Sequence, residues 1–188
     1  EAVSRENLAK ALATFVRAYV SDRAPYDRYL AGDALALDAT DLRGVRLFAE
    51  LECHACHVPP RFESDRYADR GVPNPEGLDD EGRSEVTQRG ADRGKFRVPT
   101  LRNTRESGPY FHNGSVASFA DAVSHEVERQ LQSVARAPLT ASELSDLTSF
   151  LRRALTDTTR DQHPPATLPS GLPLPPDDTR FLRGGSEP

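Results

Sequence analysis

Apolar residues recur along this chain at spacings of three and four, and nowhere do they alternate strictly over a strand-length window. Leu8, Ala11, Leu12, Phe15, Val16 and Tyr19 predict an amphipathic helix behind a Ser4 cap, ending before Pro25. A short turn of helix is expected around Tyr26 to Leu30, stopping at Gly32. A further helix from about Thr40 carries Leu42, Val45, Phe48 and Leu51 on one side and runs straight into Cys53. Ser118 with Asp121 at the third position opens a helix to about Val134. Thr140 with Glu143 forms a capping box before Leu144, Leu147, Leu151 and Leu155. The predicted fold class is all-α, and there is no internal repeat.

Between these helices, residues 58–95 hold Pro59, Pro60, Pro73, Pro75 and five glycines among many charges, with neither period. A loop of that length inside one domain is usually functional or wraps a ligand. Beyond Asp157 the character changes again: seven of the 15 prolines lie between Pro164 and Pro188. That stretch reads as an extended tail that orders only against a body.

The chain's 188 residues suit one domain with extensions. Apolar residues make up only 37%, with mean hydropathy −0.61, so side chains alone would build a thin core. Something else is expected to fill it. A formal charge of −5 gives no electrostatic footprint for nucleic acid, and no apolar run is long enough to span a membrane. The chain has no methionine and opens at Glu1 close to a helical pattern, which reads as a processed chain or a fragment.

Cys53 and Cys56 are the only cysteines, and with His57 they form Cys53-His54-Ala55-Cys56-His57, the c-type haem attachment pattern. Two thiols so spaced can each add to one vinyl group of a haem, and His57 then offers its imidazole to the iron. His54 reads as a solvent-facing spacer. A zinc site would need two further ligands, for which only His112 and His125 are at hand. A redox dithiol would be expected after a strand, and none is evident. A covalent haem c also accounts for the thin core.

With no methionine, the second axial position must go to another donor or stay open. On the helix from Ser118 the apolar stripe runs through Phe119, Ala122, Val123, Val127, Leu131 and Val134, and Glu126 and Gln130 fall inside it. A carboxylate within a buried stripe is costly unless paired or metal-bound. Glu126 is therefore either an iron ligand or the partner of an arginine such as Arg97 or Arg102, unless the helix turns to expose it. His125 is the alternative ligand.

Two segments carry a resemblance. They are Gly94-Lys95-Phe96-Arg97-Val98-Pro99-Thr100-Leu101-Arg102-Asn103 and Gly108-Pro109-Tyr110-Phe111-His112-Asn113-Gly114-Ser115, with the haem motif upstream. Together these resemble the C-terminal haem domain of the bacterial dihaem cytochrome c peroxidases and the related MauG enzymes. Pro25-Tyr26-Asp27-Arg28-Tyr29-Leu30 and the proline-rich ending extend the similarity over nearly the whole chain.

The resemblance implies residues 1–32 as a helical connection from an N-terminal haem domain, 33–160 as a cytochrome c domain, and 161–188 as the tail. It implies an electron-transfer haem here, with peroxide reacting at a second haem in the N-terminal domain or subunit. The partner beyond that is a redox protein donor or a protein substrate, and the compartment is the periplasm. In the family the second axial ligand is methionine in the peroxidases and tyrosine in MauG, three residues after a valine. That valine is Val123 here, so the matching position is Glu126, the residue periodicity also picks out. The resemblance further implies Arg97, Arg102 and His112 as haem contacts, the last two at the propionates. It also implies calcium held partly by the backbone carbonyls of Ser107 and Pro109. Two rivals stand beside this reading: a stand-alone monohaem electron carrier, and a haem that itself reacts with peroxide.

Overall fold

The computed structural model describes residues 3–18, 20–72, 74–75 and 80–159, and the tail expected over 161–188 lies outside the described residues. Helix α1 (Arg5–Ala18) begins where expected, with Ser4 Oγ accepting the Asn7 N–H at 3.1 Å. None of its residues is buried, and Leu8, Leu12, Phe15 and Val16 are each more than half exposed. Helix α2 (Pro25–Leu30) starts on a proline whose fixed φ suits a first helical position, and Asp27 Oδ2 accepts the Ala24 N–H at 3.0 Å.

Helix α3 (Ala39–Glu50) is capped by Asp38 in a box with Asp41. Its buried face runs through Asp41, Gly44, Leu47 and Phe48, with Leu51 just beyond. The expected face through Leu42 and Val45 is thus rotated, and Leu42 is 38% exposed. Gly44 explains the difference. A Cβ there would lie 2.4 Å from Phe150 Cβ and 2.5 Å from the Asp146 carbonyl oxygen, so α3 crosses α6 (Ala141–Ser149) on the glycine.

Helix α6 opens with the expected box of Thr140 and Glu143 and closes in one π-helical turn, Phe150–Ala154. That turn shifts the helix phase, so Phe150, Ala154 and Leu155 are buried while Leu151 is only partly so. Helix α5 (Phe119–Leu131) is capped as predicted, Ser118 Oγ accepting the Asp121 N–H at 3.1 Å, and ends short of Val134. Leu37, Leu47, Phe48, Leu51, Phe62, Val123, Val127, Leu147 and Phe150 form the core. In it Tyr26, Phe48, Phe62 and Phe150 meet edge to face at 5.1 to 6.2 Å.

The long connection after the haem motif is built from short pieces. Strands β1 (Tyr67–Ala68) and β2 (Phe96–Arg97) pair antiparallel, with Tyr67 opposite Arg97, and the one-turn helix α4 (Ser84–Thr87) lies between them. This is the only sheet among the described residues, and the fold is helix-rich. No described helix is long and apolar enough to cross a membrane.

Candidate functional site

Helix α3 delivers the motif. After it, Glu52 takes a left-handed turn at φ 56° and Cys53–Ala55 wind into a 3-10 turn that carries both cysteines and His57 to the wall of one cavity. The cavity holds about 690 Å³, within the range of cofactor sites. Phe48, Val98, Leu101, Val123, Val127 and Leu147 give it apolar walls, and Arg97, His112, Glu126 and Arg70 are among its polar lining. His54 is exposed and does not line it.

The His57 ring is held by backbone. Its Nδ1 lies 3.1 Å from the Phe62 carbonyl oxygen and 3.1 Å from that of Pro99. Carbonyls only accept, so Nδ1 carries the proton and the free lone pair sits on Nε2, the tautomer a metal-ligating histidine needs. Burial pushes the imidazole pKa below its ordinary value, which keeps the ring neutral. Burial, helped by the nearby Glu126 charge, pushes the Cys53 thiol up to about 12. A thiol so raised lacks the low pKa of a redox-active cysteine. Among the described residues there is also no cluster of three or more His, Cys, Asp and Glu side chains that could hold a metal ion. Two cysteines and a neutral imidazole on the wall of an apolar cavity fit a covalent haem.

The structure separates the two candidates for the sixth position. Glu126 lines the cavity, whereas His125 does not: its Nε2 lies 3.1 Å from the Arg70 carbonyl oxygen and its ring meets Phe111 edge-on. Glu126 has an arginine partner, which is neither Arg97 nor Arg102. Arg70 Nε donates to Oε2 at 2.7 Å, and Arg70 Nη2 reaches the Glu126 carbonyl oxygen at 3.3 Å. Nothing in the sequence marks Arg70, because the contact joins the loop after β1 to α5 across 56 positions.

The expected haem contacts divide. Arg97 lines the cavity while its Nη2 donates to Asp65 at 3.0 Å, and His112 lines it stacked on Phe96 at 3.7 Å. Arg102 is absent from the wall. Its guanidinium is taken by both carboxylate oxygens of Asp27 and by the Pro60 carbonyl, and its side chain is 9% exposed. Ser107 and Pro109 both border the cavity.

No family model matches the chain. It is 32% identical over 162 residues to the methylamine utilization protein MauG of Methylophilus methylotrophus, covering 81% of this chain and 48% of that one. It is 33% identical over 175 residues to the cytochrome c551 peroxidase of Nitrosomonas europaea, covering 92% of this chain and 51% of that one. Among solved structures it resembles a MauG-like protein associated with microbial copper homeostasis. The TM-score is 0.67 at 28% identity, over 83% of this chain and 58% of that one. The chain spans about half the length of the curated relatives it matches. With a haem motif opening on an apolar cavity and these likenesses over most of its residues, the chain belongs to the family of the bacterial cytochrome c peroxidases and MauG proteins.

Proposed function

We propose that this chain holds one haem c through Cys53 and Cys56, with His57 as the proximal ligand and Glu126 as the second. In this reading it serves as the electron-relaying half of a periplasmic dihaem peroxidase or MauG-like oxidase. The observation that carries the proposal is the His57 ring, its Nδ1–H spent on two carbonyls and its remaining lone pair on a cavity wall beside both cysteines.

When bound, the haem supplies a one-electron relay. Reducing hydrogen peroxide to two waters consumes two electrons and two protons, more than one such relay delivers at once, so a second haem domain is the natural partner. The chain's own residues set the relay's character. Burial keeps the His57 ring neutral, the Phe62 and Pro99 carbonyls hold its orientation, and the apolar walls exclude water. Glu126 offers an anionic oxygen, which favours the ferric state and a lower potential than methionine would. Arg70 takes up part of that negative charge. Calcium at the carbonyls of Ser107 and Pro109, on the cavity's edge, would add a further cation. The exposed stripe of α1 suits a connection toward the second domain.

A denaturing gel stained for haem tests the attachment: colour should stay with the chain and be lost from Cys53→Ser with Cys56→Ser. Haem extracted from the native chain by acid and organic solvent would refute it. Peroxide turnover with a reduced donor should appear only when a second haem domain is supplied. Full turnover by this chain alone would place the chemistry at its own haem.

A further inference from the structure

The Phe62 carbonyl that holds His57 belongs to a residue in an unusual conformation. Phe62 is 1% exposed and sits at φ 53°, the left-handed region that a bulky side chain adopts only when its surroundings over-determine it. Three contacts from the segment after β2 supply that constraint. Leu101 N–H donates to the Phe62 carbonyl at 3.1 Å, and Thr100 Oγ1 donates to the Arg61 carbonyl at 2.6 Å. Arg102 donates from both Nε, at 2.9 Å, and Nη2, at 2.6 Å, to the Pro60 carbonyl. The same guanidinium is gripped by Asp27 of α2, with Nη1 2.7 Å from Oδ2, and the two side chains are only 9% and 16% exposed. Arg102 also lies 5.8 Å from the centre of the Phe62 ring.

We propose that Arg102, braced by Asp27, is a positioning residue for His57, acting through the turn from Pro60 to Phe62. A planar guanidinium can hold a carboxylate and a carbonyl at once, and lysine as a point charge cannot. With the turn held, the Phe62 and Pro99 carbonyls stay in reach of Nδ1–H, and that bond makes the imidazole a stronger donor to iron. With the turn released, the bond lengthens, the imidazole donates less, and the ferric state loses stabilisation. The reduction potential then rises. The role rests on His57 being the proximal ligand of a bound haem.

The test is redox titration of the haem-loaded chain. Removing Arg102 alone would also change the local charge and strand a buried carboxylate, so the main variant is Asp27→Leu with Arg102→Met. That apolar pair leaves net charge and packing volume nearly unchanged. Its potential should rise by the equivalent of up to about tenfold in the ferrous-to-ferric ratio, about 59 mV for a one-electron couple. Arg102→Lys keeps the charge beside Asp27 and should shift the potential part of the way, which carries the test if the double variant does not fold. The control, Arg43→Met with Asp146→Leu, removes an ion pair between α3 and α6 and should leave the potential in place. Haem-loaded Arg102 variants within about twofold of the parent ratio would overturn the proposal, as would an equal shift in the control. A parent chain without covalent haem would instead refute the haem reading itself.

Discussion

Replacing Glu126 with glutamine separates its ion pair with Arg70 from its proposed role as an iron ligand, because the two predict effects of different size. The carboxylate is paired with Arg70 at 2.7 Å, and the two side chains remain 38% and 31% exposed, respectively. A pair so open to water is screened and contributes about 1 kcal/mol or less, well below the roughly 3 to 5 kcal/mol for breaking a fully buried pair. Glutamine also keeps an oxygen for Arg70 to donate to. Glu126→Gln should therefore lower Tm by only about 2 to 4 °C, the shift that about 1 kcal/mol produces in a domain of this size. If the carboxylate ligates iron, the ferric absorption and EPR spectra should change by far more than that small stability cost suggests. Glu126→Met should then raise the reduction potential, since a thioether favours ferrous iron. Arg70→Gln should leave the carboxylate spectrum recognisable, and His125→Ala should leave it unchanged. A small fall in Tm with unaltered ferric spectra in both Glu126 variants would refute the ligand assignment. Loss of the axial signature in His125→Ala alone would mean that α5 sits rotated from the phase seen here.

Two further outcomes follow from the packing. Gly44→Ala gains about 1 kcal/mol of helix propensity, but its Cβ would meet Phe150 Cβ and the Asp146 carbonyl at 2.4 and 2.5 Å, one of them immovable backbone. Urea unfolding should show a net loss of about 2 kcal/mol, and an alanine variant as stable as the parent would refute the close crossing of α3 and α6. At Asp157, burial pushes the carboxyl pKa up. Hydrogen bonds from the Thr159 hydroxyl and the Thr159 and Arg23 N–H groups push it down further, so the net value is below the ordinary one. Its contribution is then complete above the unfolded pKa of about 3.9 and is lost as pH falls through the lower folded value. Asp157→Asn should flatten the acid limb of the Tm–pH curve in that window, and an unchanged limb would refute the assignment.

What the sequence made legible was local. The Ser118 and Thr140 caps depend on residues three positions apart, and the haem motif on five consecutive ones, so each could be seen without knowing the fold. The phase of α5 was also readable, because a helix repeats every 3.6 residues and its stripe contains Glu126 but not His125. The face of α3 was not readable, because Gly44 is buried for what it lacks, and a hydrophobic pattern gives no weight to an absent side chain. The partners of Arg102 were hidden for a related reason. An arginine in a motif shared with haem proteins suggests a propionate, but Asp27 lies 75 positions away and the Pro60 carbonyl has no side-chain signature. Arg70 escaped notice in the same way. The π-helical turn after Ser149 moved burial from Leu151 to Phe150 and Ala154, a phase change that no propensity announces.

The two sides of the cavity are built with different tolerance for change. On the His57 side, the imidazole is fixed by a 3-10 turn, by two backbone carbonyls and by a buried Phe62 at positive φ, so a substitution in any of these disturbs the core. On the α5 side, the candidate ligand is one side chain on a regular helix, 38% exposed and ion-paired to a loop arginine. Exchanging that side chain should cost little, because the pair it makes with Arg70 is open to water. The resemblance places methionine or tyrosine at this position in related proteins and glutamate here. Variation at this position is what the fold permits: the side chain at position 126 can change while His57 and its supporting turn stay as they are.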